Sequence, residues 1–140
     1  MNSINFEGEK AILNETNINT ENEKLNLSID NKFFIKTHRG VKGIYIPNIK
    51  YCVADGCYTE IFIMGEKSIL VCKRIKEIEQ ALHKFNIIRC HDSYLVNVVF
   101  IKEITGTLST GKKIILTDNT EIACSRRRYK NLQLKLVCCF

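Results

Sequence analysis

From Lys32 onward the apolar positions come in short runs that alternate with polar ones, each run closed by a turn residue. A period of two marks strands with one buried face. KFFIKT (32–37) reads as a first strand, the glycine after His38-Arg39 turns the chain, and IYI (44–46) returns before Pro47. YCVA (51–54) leads into Asp55-Gly56, a strong hairpin dipeptide. YTEIFIM (58–64) sets Thr59, Ile61 and Ile63 against Tyr58, Glu60 and Phe62, and SILV (68–71) follows. Further on, VVFIKEI (98–104), KIILT (113–117) and EIAC (121–124) read as strands, with GTLSTG (106–111) and TDNT (117–120) between them.

Two segments change period. Val71, Ile75, Ile78 and Leu82 fall at i, i+4, i+7 and i+11, with Lys73, Lys76, Glu77, Glu79, Gln80 and Lys84 on the other faces. This predicts an amphipathic helix over about 72–84, laid on a sheet. Ser125 is a good N-cap and predicts a final helix over about 126–136, with Tyr129, Leu132 and Leu136 on one side. The expected fold is mainly β: antiparallel strands in packed small sheets, one amphipathic helix and a short C-terminal helix.

Charge divides the chain. Residues 1–30 hold six acids against two lysines, a net −4, whereas 31–140 hold nineteen basic residues against nine acids, a net +10. The first stretch is rich in Asn, Glu and Thr without a sustained period, and is expected to be a flexible acidic tail. The rest is expected to be one domain, and its excess of cations points to a polyanionic partner. Seven cysteines, no opening signal-peptide pattern and no run of about 18 apolar residues predict a cytoplasmic protein with free thiols and no membrane span.

Residues 85–97, FNIIRCHDSYLVN, hold Cys90, His91, Asp92 and Ser93 side by side. A catalytic triad is excluded there, because neighbouring side chains of an extended segment point to opposite faces and triads are built from residues distant in sequence. No C-x2-C pair exists, so no metal site is expected, and neither catalysis nor a cofactor is predicted. Arg89 and His91 flank Cys90, and nearby positive charge lowers a thiol's pKa, so Cys90 is a candidate redox-sensitive cysteine. Arg126, Arg127 and Arg128 open the final helix, where the macrodipole disfavours each cation by about 0.3–1 kcal/mol. A phosphate would compensate, and guanidinium forks suit both phosphate and guanine edges.

FNIIRCHDSYLVNVVFIKEI (85–104) resembles the hallmark of the LytTR DNA-binding domains: an aromatic, then Arg-x-His-x-Ser, Tyr or Phe, two aliphatics and Asn, followed by an apolar strand. IACSRRRYKNL (122–132) looks like that family's closing segment, IPNIKYCVADGCYTEIFI (46–63) like its strand, polar loop and strand, and KRIKEIEQAL (73–82) like its helix. The four blocks stand in the family's order and cover roughly 32–137. The resemblance implies a bacterial transcription regulator that offers loops, rather than a recognition helix, to successive major grooves of double-stranded DNA. It further implies a homodimer on repeated half-sites and, with only about 30 residues ahead of the domain, no attached receiver domain.

The resemblance places contacts at Asp55, Cys57, Tyr58, Thr59, Asp92 and Arg126; with the surrounding polar residues the candidate DNA-binding set adds Arg89, His91, Ser93, Arg127, Arg128 and Lys130. His91 either touches phosphate or bonds backbone as a half-buried histidine. Thr59 either meets a base or is strand surface. At Asp92 the family more often has an amide or a basic residue. An ionised Asp92 either accepts from a cytosine N4 amino group or is bound to Arg89 or Arg126 and reads nothing. Tyr94, Leu95 and Val96 are expected in the core, with Asn97 turning the chain after them. The alternative function is a LytTR-like interaction module that modulates another regulator without reading DNA itself; a thiol enzyme or redox switch at Cys90 is a third.

Overall fold

The computed structural model describes residues 31–107 and 109–137. The acidic segment 1–30, Leu108, Cys138, Cys139 and Phe140 lie outside the described residues.

Among the described residues, ten strands form three antiparallel sheets. Strands β1 (Lys32–Thr37) and β2 (Gly40–Tyr45) make a ribbon of their own. The largest sheet has the order β5-β4-β3-β7-β6, from β3 (Ile49–Asp55), β4 (Tyr58–Ile63), β5 (Ile69–Val71), β6 (Ile87–His91) and β7 (Tyr94–Asn97). The third is β10-β9-β8, from β8 (Ile101–Thr107), β9 (Gly111–Leu116) and β10 (Glu121–Cys124). Helix α1 (Ile75–Leu82) joins β5 to β6, and α2 (Arg126–Val137) ends the described chain.

The five-stranded sheet is buried on both sides, and the period of two sorts its residues between two cores. Ile87, Leu95, Cys52 and Ile61 face α1, whose Ile75, Ile78 and Leu82 complete that core with the ribbon's Ile35 and Ile44. Ile88, Cys90 and Val96 face the other way, onto Ile114, Leu116 and Ile122 of the small sheet and Leu132 of α2. This explains the adjacent apolar pairs Ile87-Ile88 and Leu95-Val96: neighbouring residues are claimed by different cores. Leu95 and Val96 are fully buried, one in each; Tyr94 is half-buried.

Several boundaries differ from the sequence expectation. Helix α1 starts at Ile75, because Val71 is held in β5 opposite Thr59 and Arg74 takes an extended backbone as N-cap, its N–H meeting Glu77 Oε2 at 3.4 Å. Val71 joins the same core from the strand 68–71 in which it was expected. The helix gives way to a 3-10 turn at His83–Phe85 rather than running to 84. The predicted strand 98–104 begins at Ile101 instead: Val98–Phe100 is a 3-10 turn capped by Asn97, whose Oδ1 accepts the Val99 N–H (3.2 Å) while its Nδ2 donates to the Ile49 carbonyl (2.8 Å). Asn97 therefore turns the chain as expected.

Candidate nucleic-acid interface

Three segments converge at one end of the five-stranded sheet. The β3–β4 hairpin turns at Gly56-Cys57, where Gly56 has φ +63°, a left-handed conformation that a residue without Cβ adopts freely. The β6–β7 turn, Asp92-Ser93, lies beside it: Val53 pairs with Tyr94, and the Ala54 N–H donates to the Ser93 carbonyl at 2.8 Å. The start of α2 is fixed to the same turn, since the Ser125 N–H donates to the Cys90 carbonyl at 2.9 Å. Ser125 also caps α2, its Oγ accepting the Arg128 N–H at 3.3 Å.

The 91–93 turn is braced from inside. Arg89 donates through Nε to the His91 carbonyl (3.0 Å), through one Nη to the Asp92 carbonyl (2.7 Å) and through the other to Glu79 Oε1 on α1 (2.7 Å). The Ser93 N–H donates to His91 Nδ1 at 3.1 Å. With Nδ1 accepting, a neutral His91 carries its proton on Nε2, which leaves a donor for an outside acceptor. Its ring meets Tyr94 edge-on at 5.6 Å.

Outside the turn, Asp92 Oδ1 lies 3.4 Å from an Arg127 Nη and 3.3 Å from Arg128 Nε. Arg126, the remaining arginine, has no side-chain hydrogen bond or ion pair among the described residues, and with His91 and Lys112 it lines an open cleft of about 520 Å³ between α2 and the β8–β9 hairpin. Lys112 is steered there by the Gly106 carbonyl (3.1 Å) and the Tyr129 ring (4.8 Å).

The sequence model of the LytTr DNA-binding domain family matches residues 39–136. The chain belongs to the LytTR family. This is a family of DNA-binding domains, not of enzymes. The chain is similar to the sensory transduction protein LytT of Oceanobacillus iheyensis, with 34% identity over 89 residues, which are 61% of this chain and 36% of the relative. It thus spans little more than a third of that curated relative. A solved LytTr DNA-binding domain from Bacillus cereus superposes with a TM-score of 0.65 at 23% identity, covering 76% of this chain and 96% of the other, and has the same fold. None of the described helices is long and apolar enough to cross a membrane.

Set on this LytTR fold, the predicted site residues divide. Asp55, Cys57, Tyr58, His91, Asp92, Ser93, Arg126, Arg127 and Arg128 all lie on the three converging segments, and the exposed Lys130 follows on α2. Three residues need correction. Thr59 is fully buried, its Oγ1 donating to the Lys73 carbonyl at 2.7 Å, and cannot meet a base. Arg89 spends its guanidinium on Glu79 and two carbonyls, so it shapes the turn from behind. Cys90 is fully buried, and burial pushes its thiol up to about 12 against the weaker opposite influence of Arg128 and Arg89, so it is not the reactive thiol its neighbours in sequence suggested. Asp92 is indeed held by arginines, but by Arg127 and Arg128 rather than Arg89 or Arg126.

Two cations escaped the sequence reading. Lys112 reaches the cleft from a strand remote in sequence, and Arg74 lies beside the hairpin tip, one Nη 3.7 Å from Cys57 Sγ. Lys112 stands in no motif and Arg74 only at the edge of the helix block 73–82, and the packing of separate elements places them.

Proposed function

We propose that this LytTR domain is a sequence-specific transcription regulator of the cytoplasm that presents the 55–58 hairpin, the 91–93 turn and the start of α2 to major grooves of double-stranded DNA, with two copies occupying repeated half-sites. The observation that carries the reading is the docking of α2 on the histidine turn through Ser125 and Cys90, with Arg126 in one cleft with His91 and Arg127 and Arg128 against Asp92. In this reading Arg126, with no side-chain partner among the described residues, forks onto guanine or phosphate, and His91 Nε2 donates to phosphate. Tyr58 supplies a half-exposed phenol at the hairpin.

The test is titration of the protein with duplexes selected from random DNA and with unselected duplexes, over a range of salt. Affinity should fall steeply with salt, and selected duplexes should bind far more tightly. Arg126→Ala should relax the preference at one base pair and cost about 1–3 kcal/mol. Binding that ignores sequence and salt alike would favour the second reading, a module that pairs with another regulator. The exposed apolar face of the ribbon, with Phe34, Val41 and Tyr45, is the feature that speaks for it.

A further inference from the structure

The two ion pairs of Asp92 have a consequence for DNA binding that depends on the reading above. We propose that Asp92 is an internal competitor for phosphate: in the free protein its carboxylate occupies Arg127 and Arg128, and DNA engages those arginines only by displacing it. Asp92 thereby sets the affinity threshold for every duplex.

Several features fit this role. Both arginines sit in the first turn of α2, where cations are disfavoured by the helix dipole and an anion is favoured. Asp92 supplies that anion from the facing turn, and its only side-chain partners among the described residues are these arginines. The contacts, 3.3 and 3.4 Å, are long for charge-assisted bonds, and the carboxylate is 72% exposed. Such a pair is readily exchanged. The backbone that carries the carboxylate is held, the Asp92 carbonyl by Arg89 and the Ser93 N–H by His91, so a displaced carboxylate stays within one side chain's reach of the arginines. A phosphate arriving at Arg127 or Arg128 therefore meets a tethered negative charge that it must outcompete. The effect acts on the backbone-contacting cations, so it applies to matched and unmatched sequences alike.

The experiment compares the wild-type chain with Asp92→Asn, which keeps the shape and removes the charge. Glu66→Gln serves as the control, because it removes an equal exposed charge, paired with Lys42, beyond the opposite end of β4. Asp92→Asn should tighten selected and random duplexes by a similar factor. That gain should itself grow about three- to fourfold as salt falls from about 200 to about 50 mM, as one added phosphate contact requires. Arg127→Ala should cost more affinity in the Asp92→Asn background than in the wild type. The proposal is overturned if Asp92→Asn leaves affinity unchanged, if Glu66→Gln gives an equal gain, or if the change appears only at sites differing in one base pair, which would make Asp92 a base reader. If neither wild type nor variant binds any duplex, the DNA-binding reading fails first and takes this one with it.

Discussion

Arg89 and Glu79 meet at 2.7 Å across the junction of β6 and α1, with side chains only 12% and 25% exposed. This pair couples the helix to the turn that carries His91 and Asp92, because the same guanidinium also holds the carbonyls of both turn residues.

Removing the guanidinium should therefore loosen the turn as well as lower stability. Arg89→Ala leaves a mostly buried carboxylate and two carbonyls without their donor, and about 3 kcal/mol of stability should be lost in urea denaturation. A loss below about 1 kcal/mol would class the pair with ordinary surface salt bridges. DNA affinity should fall too, through the turn rather than through a lost contact.

Thr59 tests the distinction between a buried strap and a base reader. Thr59→Val keeps the shape and leaves the Lys73 carbonyl without its 2.7 Å donor, so thermal unfolding should report a loss of about 1–2 kcal/mol. The folded variant should bind DNA as the wild type does. A changed base preference at unchanged stability would mean that the side chain reaches the duplex.

Cysteine labelling should follow burial, not neighbouring charge. Cys57 and Cys72 are exposed, whereas Cys52, Cys90 and Cys124 are buried, and the thiols of Cys52 and Cys90 are each pushed up to about 12 by burial. Iodoacetamide followed by peptide mass spectrometry should modify Cys57 and Cys72 in the native protein and Cys90 only after denaturation, even at pH 9. Native labelling of Cys90 at the rate of Cys57 would contradict the packing of the second core.

The small sheet is fastened to the large one by Lys50 and Asp118, 2.8 Å apart. The Lys50 ammonium, with the side chain and N–H of Thr120, holds the Asp118 carboxyl well below its ordinary value of 3.8. A carboxyl depressed in the folded state stabilises the fold fully above the unfolded value and loses that contribution as pH falls. Stability should thus begin to decline as pH drops through 3.8. Lys50→Met should flatten that part of a chemical-denaturation profile measured from pH 6 to pH 2; an unaltered profile would show that the contact is not formed in solution.

Most strands and both helices were legible because their signals are local, whereas β6 and β7, which serve two cores, lack the one-sided alternation that marks the others. Alternation marks Thr59, Ile61 and Ile63 as the buried side of β4 whatever packs on them, and Ser125 can cap α2 with its own hydroxyl. Asn97 likewise announced a turn through its short amide side chain. Where the reading failed, a distant partner decided the outcome. The helix expected from residue 72 begins only at Ile75, and the Lys73 carbonyl ahead of it is held instead by the Thr59 hydroxyl of β4.

What the chain's order of residues determined by itself was the alternation that builds the sheets, the cap and stripe that build the helices, and the cationic cluster at Arg126–Arg128. Those depend on backbone geometry and on neighbours within a turn or two. Only the tertiary structure decided which polar side chains face outward at the interface. It hid Thr59 under Lys73, turned Arg89 inward to Glu79, and set Asp92 against Arg127 and Arg128, 35 and 36 residues away along the chain. The role of a charged or hydroxyl group depends on what it is desolvated against and which charge it meets, and both come from segments that folding brings together.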